Sequence, residues 1–95
     1  MIRILCLIAT EDRLWNMKRA LRRVEEIHPG MIEGHCWSAW GLAANPEEIP
    51  KMLADAQCCD FAIVYFRGGA QLLPDFESIW KLLTARMPVY FESSL

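Results

Sequence analysis

The residues of this chain best suited to chemistry are four cysteines (Cys6, Cys36, Cys58, Cys59), two histidines (His28, His35) and the tripeptide Arg67-Gly68-Gly69 after an apolar run. Cysteine with histidine suggests a zinc site or a nucleophile, but the spacing supports neither. No C-x-x-C occurs, Cys58 and Cys59 are adjacent, and His35 and Cys36, as neighbours in an extended segment, point to opposite faces. No cysteine stands at a helix start that would lower its pKa. The thiols are therefore expected to be free and buried, as in a reducing compartment. Arg67 is different. Its planar cation can hold a carboxylate or phosphate through two parallel hydrogen bonds, and the glycine pair beside it lets a ligand approach the backbone closely.

Several chemistries lack their signatures. Neither G-x-G-x-x-G nor G-x-x-x-x-G-K-[ST] is present, so no nucleotide-phosphate loop is expected. A Ser-His-Asp or Cys-His arrangement does not suggest itself, and a D-x-H-x-x-G cobalamin loop is missing. The apolar run before Arg67 ends in Phe66 and not in the aspartate of a phosphoacceptor domain.

The elements that must position these residues follow from periodicity. Ile2 to Ala9 is a near-continuous apolar run, as in a strand covered on both faces, and Thr10 then caps a helix whose first turn carries Glu11 and Asp12. Leu14, Met17, Leu21 and Val24 recur at helical spacing until Pro29-Gly30 stops the helix. Lys18, Arg19, Arg22 and Arg23 decorate its solvated face. A second, more polar strand is expected from about Met31 to Ala39, suited to a sheet edge, with Trp40-Gly41-Leu42 as its exit loop and Trp37 and Trp40 partly exposed. Asn45-Pro46-Glu47-Glu48 signals a helix start, delayed by Pro50, so the second helix is expected from near Glu48 to about Gln57. Phe61 to Phe66 is wholly apolar and should be a central strand. A third helix opens at Pro74-Asp75 with Phe76, Ile79, Trp80 and Leu83 on its apolar face, and Met87 to Phe91 forms a fourth strand.

Strands alternating with helices imply a parallel sheet joined by right-handed crossovers. With the two apolar strands central and the polar one at an edge, the expected fold is a three-layer, flavodoxin-like α/β domain with a four-stranded parallel sheet in the order 2-1-3-4 and helices on both faces. Ligands of such sheets bind at the carboxyl ends of the strands, where the order reverses. That rule brings Thr10 opposite the loop after the third strand. The candidate ligand-binding set is Thr10, Arg67, Gly68, Gly69 and Gln71; no catalytic residue and no metal ligand is assigned.

Length and charge bound the rest. The 95 residues suffice for one domain with a single core. No apolar run approaches the ~18 to 20 residues of a membrane span, and no secretory leader is evident, so a cytoplasmic location is expected. A net charge of -2 argues against nucleic acid as a partner. Flavodoxin-like sheets usually have a fifth strand, and this chain stops after the fourth, which suggests the N-terminal part of a longer protein.

The order of these segments resembles the large subunit of cobaltochelatase (CobN type) and the related porphyrin-binding H subunit of magnesium chelatase. The resemblance rests on the opening Met1-Ile2-Arg3-Ile4-Leu5 strand ending near Thr10, on Ala54-Asp55-Ala56 followed by Asp60-Phe61-Ala62-Ile63-Val64, and above all on Phe66-Arg67-Gly68-Gly69. The helix Asp75-Phe76-Glu77-Ser78-Ile79 and the exit Met87-Pro88-Val89-Tyr90 complete it. It implies a scaffold or substrate-contacting domain of an ATP-dependent ligase that inserts cobalt or magnesium into a tetrapyrrole, in cobalamin or chlorophyll biosynthesis. The parent's partners would be the tetrapyrrole, AAA+ ATPase subunits that bind the ATP, and the remainder of its own chain. Arg67 would then face a peripheral carboxylate of the macrocycle. This segment alone is not expected to catalyse or to hold a cofactor. The alternative is a non-catalytic interaction module that pairs through a sheet edge, with a homodimer as one form.

Overall fold

A computed structural model describes residues 1–65, 73 and 75–92. The elements are strand β1 (Ile2–Ile8), helix α1 (Glu11–Ile27), strand β2 (Ile32–Ser38) and the short helix α2 (Ala39–Ala44). A 3-10 turn (Pro46–Glu48) leads to helix α3 (Ile49–Ala56), strand β3 (Phe61–Tyr65), helix α4 (Phe76–Arg86) and strand β4 (Val89–Glu92). All three strand pairings are parallel and the order is β2-β1-β3-β4, as the apolar and polar character of the strands predicts.

The expected capping device is present at α1. Thr10 is extended, and its hydroxyl accepts a hydrogen bond from the Arg13 N–H at 3.4 Å, satisfying one of the orphan donors of the first turn. At the other end Gly30 takes φ +74°, a left-handed turn that an L side chain would resist. The Pro50 argument also holds. Pro46 to Glu48 is a separate 3-10 turn, and α3 begins only at Ile49, with the proline in its first turn where no backbone donor is needed.

One expectation fails. The segment read as the exit loop Trp40-Gly41-Leu42 is helical: Ser38 caps α2, its Oγ accepting from the Gly41 N–H at 2.8 Å. The available signal is Ser38 itself, an N-cap residue type immediately before Ala39, although the Trp-Gly pair that follows has the composition of a loop. Leu42, on this helix, is 1% exposed and packs in the core.

The sheet carries its helices unequally. On one face α2, α3 and α4 enclose the main core, which includes Leu5, Leu7, Met52, Val64, Ile79 and Leu83. On the other face, among the described residues, there is only α1, which packs over β1 and β2. β1 is thus buried on both faces from Ile4 to Ile8, as its apolar run requires. β3 is just as apolar but not equally covered. Ala62 and Val64 are fully buried under the three-helix layer, while Phe61, Ile63 and Tyr65 on the α1 side are only half-buried. None of the helices among the described residues is long and apolar enough to cross a membrane.

Candidate functional site

At the carboxyl end of the sheet, Thr10 lies where the strand order reverses, and backbone bonds tie the strand ends together: Ala9 N–H to Tyr65 carbonyl at 2.9 Å and Trp40 N–H to Ala9 carbonyl at 3.1 Å. Of the five candidate ligand-binding residues Thr10 alone is described; Arg67, Gly68, Gly69 and Gln71 lie outside the described residues. Beside Thr10 the sequence reading missed a small polar centre. Ser38 is 6% exposed; its hydroxyl donates to Glu11 Oε1 at 2.7 Å while accepting from Gly41. Gly41 is required there because a Cβ would meet the Ser38 oxygen at 2.8 Å. Glu11 thus links the start of α1 to the start of α2. A cleft of about 210 Å³ opens against this centre, lined by Glu11, Cys36, Ser38 and Asn45 among others. A second, of about 160 Å³, lies between Thr10–Asp12 and the exposed Trp40. No lysine or arginine lines either cleft; the Arg13 guanidinium, over the Tyr65 ring at the end of β3, is a cation at this end of the sheet.

A second cluster occupies the β2 edge on the three-helix face. His35 lies between two carboxylates, Nε2 at 3.5 Å from Glu33 and Nδ1 at 3.6 Å from Asp55. Arg3 Nε donates to Glu33 at 3.0 Å, and Trp37 Nε1 donates to Asp55 at 3.0 Å. The bond from Arg3, and then that from His35, hold the Glu33 carboxyl below its ordinary pKa. These contacts join α3 to the edge strand, and Trp37 is partly exposed there, as expected, with the rest of its ring against the main core. No group of three or more His, Cys, Asp or Glu side chains is arranged to hold a metal ion among the described residues.

Of the cysteines, Cys6 and Cys36 are register partners on β1 and β2, Cys59 is buried with its thiol on the Asp55 carbonyl at 3.3 Å, and Cys58 is exposed. Burial, then the Asp55 carboxylate, push the Cys59 thiol up to about 11. Residue spacing carries no sign of the Cys6–Cys36 pairing, because it depends on the register of two strands joined by a helix.

The third feature is the α1 side of β3 and β4. Phe61 and Tyr90 meet edge to face, centroids 5.9 Å apart, and Tyr90 is 68% exposed. Ile63 and Tyr65 continue the row, with the Arg13 guanidinium 5.8 Å over the Tyr65 ring. Helical spacing places Ala20 and Ile27 on the flank of α1 that Arg13 occupies, and Ile27 is 64% exposed. The result is an apolar shelf with a helix along one side.

No family model, curated protein or solved structure matches the chain.

Proposed function

We propose that this chain is a scaffold module of a metal-chelatase large subunit, an α/β unit that docks rather than catalyses. The observation that carries the docking part is the β3 mismatch. A strand with no polar residue is the pattern of burial on both faces, yet the face bearing Phe61, Ile63 and Tyr65 is left half-exposed, with Tyr90 beside it. Single exposed apolar residues are ordinary, but a contiguous aromatic shelf is the usual mark of an interaction site. The occupant is a partner's amphipathic helix. It would lie beside α1 as a second helix on that face, completing the layer as in other three-layer sheets. Arg13, on the flank of α1 that faces the shelf, favours acidic residues along its edge.

The chelatase part rests on the segment resemblance through Phe66-Arg67-Gly68-Gly69, and the 2-1-3-4 order is compatible with it. In this reading the tetrapyrrole contacts the strand-end set of Thr10, Arg67, Gly68, Gly69 and Gln71, the metal is cargo, and ATP is bound by AAA+ partner subunits. Two titrations test the proposal. A labelled 18-residue helix with leucine on one face and glutamate on its edges should bind saturably, and a scrambled peptide of the same composition should not. Equal binding of both removes the docking site. Separately, a cobalt-free corrinoid or a porphyrin should change its absorbance on addition of the chain and lose that change with Arg67→Ala; unchanged spectra at high micromolar chain would remove the tetrapyrrole contact.

A further inference from the structure

Cys6 and Cys36 are register partners on adjacent parallel strands, which places their Cα atoms at the ~4.8 Å strand spacing, inside the ~4.4 to 6.8 Å range that a disulfide spans. Both side chains project to the α1 face. Cys6 is fully buried there with Ile4, Ile8 and Leu14, and Cys36, half-buried, packs against the same cluster. The two thiols are close enough for each to shift the other's titration. Cys36 also lines the cleft of about 210 Å³ beside Glu11 and Ser38, so a small reagent can reach one member of the pair.

We infer that Cys6 and Cys36 are a peroxide-reactive dithiol that closes reversibly into a disulfide between β1 and the edge strand β2. Cys36 is the attacking group. Its thiolate takes one oxygen of hydrogen peroxide, the O–O bond breaks, hydroxide leaves, and sulfur is oxidised to sulfenic acid. Cys6 then attacks that sulfur, the S–O bond breaks, and the hydroxyl departs as water with the proton of the Cys6 thiol. In sum two thiols and one peroxide become one disulfide and two waters. The electrostatics favour this division of roles. The neighbouring Cys6 thiol lowers the Cys36 thiol to about 7 against the opposing effect of burial, with Lys18 and His35 helping, while the same pairing and burial drive the Cys6 thiol upward. The cross-link would tie down the strand that carries Trp37 and the Ser38 cap.

The experiment is peroxide treatment of the purified chain, followed by alkylation under denaturing conditions and proteolysis without reductant. The expected product is a peptide pair joined through Cys6 and Cys36, lighter by two hydrogens and restored by dithiothreitol. Its rate of formation should rise with pH through about 7 and then level. Cys6→Ala should leave a Cys36 sulfenic acid that dimedone traps, and Cys36→Ser should abolish the peptide pair. Because Cys6→Ala opens a small gap in the core, its circular dichroism is checked first, and the midpoint of wild-type oxidation in glutathione buffers gives an independent reading. Full alkylation of Cys6 and Cys36 after peroxide, or disulfides that involve only Cys58, would overturn the inference.

Discussion

Replacing Tyr90 by serine separates a residue that holds the fold together from one reserved for a partner. Folding covers only about a third of this side chain, since 68% stays exposed. An aromatic side chain has ~200 Å² to bury, so folding removes ~65 Å² from water, worth ~1.6 kcal/mol at ~25 cal/mol per Å². The edge-to-face contact with Phe61 adds ~0.5 to 1 kcal/mol. Tyr90→Ser should therefore cost the free chain ~2.6 kcal/mol at most. Leu7→Ala, at a fully buried position in the main core, should cost ~2 to 5 kcal/mol. Binding reverses the order of importance. The remaining ~135 Å² of Tyr90 corresponds to ~3.4 kcal/mol on contact with a docked helix, roughly a 300-fold loss of affinity as an upper bound. Urea unfolding of the two variants gives the first comparison, and fluorescence anisotropy of the labelled helix gives the second. If Tyr90→Ser destabilises the free chain as much as Leu7→Ala and leaves helix affinity intact, the ring is part of the core and the docking argument is wrong.

Other outcomes follow from the same geometry. Ser38→Ala removes both the α2 cap and the bond to Glu11 and should cost about 2 kcal/mol by thermal or urea unfolding. Gly41→Ala should be destabilising in the wild type but milder in the Ser38→Ala background, because the added Cβ would strike the Ser38 oxygen at 2.8 Å; additive effects in the cycle would contradict this. Glu33 is held below its ordinary pKa of 4.5 by Arg3 and His35, so its contribution to stability is present above that value and is lost as pH falls through the lower, folded-state pKa. The acid limb of the stability profile should accordingly flatten in Glu33→Gln.

Much of this architecture was legible in the residues. The continuous apolar runs of β1 and β3 and the mixed polarity of β2 were enough to order the sheet, and Thr10 announced the start of α1. The four-residue rhythm of Phe76, Ile79, Trp80 and Leu83 matched α4, with Ile79 and Leu83 buried and Phe76 and Trp80 half-buried. What escaped was whatever depends on residues distant in the chain. The Cys6–Cys36 contact needs the register of two strands separated by a helix. The His35 clamp needs Asp55, which α3 brings to the β2 edge. Helix α2 escaped for a local reason, since Trp40-Gly41 reads as a loop until the Ser38 oxygen is seen to accept from the Gly41 N–H. Uneven cover of β3 escaped because composition reports that a strand can be buried on both sides and not whether its own chain buries it.

The chain contains two tyrosines, Tyr65 and Tyr90, and both lie on the proposed docking face. Fluorine NMR of the chain labelled with 3-fluorotyrosine therefore observes that face alone, with one resonance for each ring. On titration with the acidic amphipathic helix both resonances should shift together, and the solvent-isotope shift of Tyr90 should collapse as the ring leaves water. Resonances that stay in place while the helix binds would put the partner elsewhere and contradict the central claim.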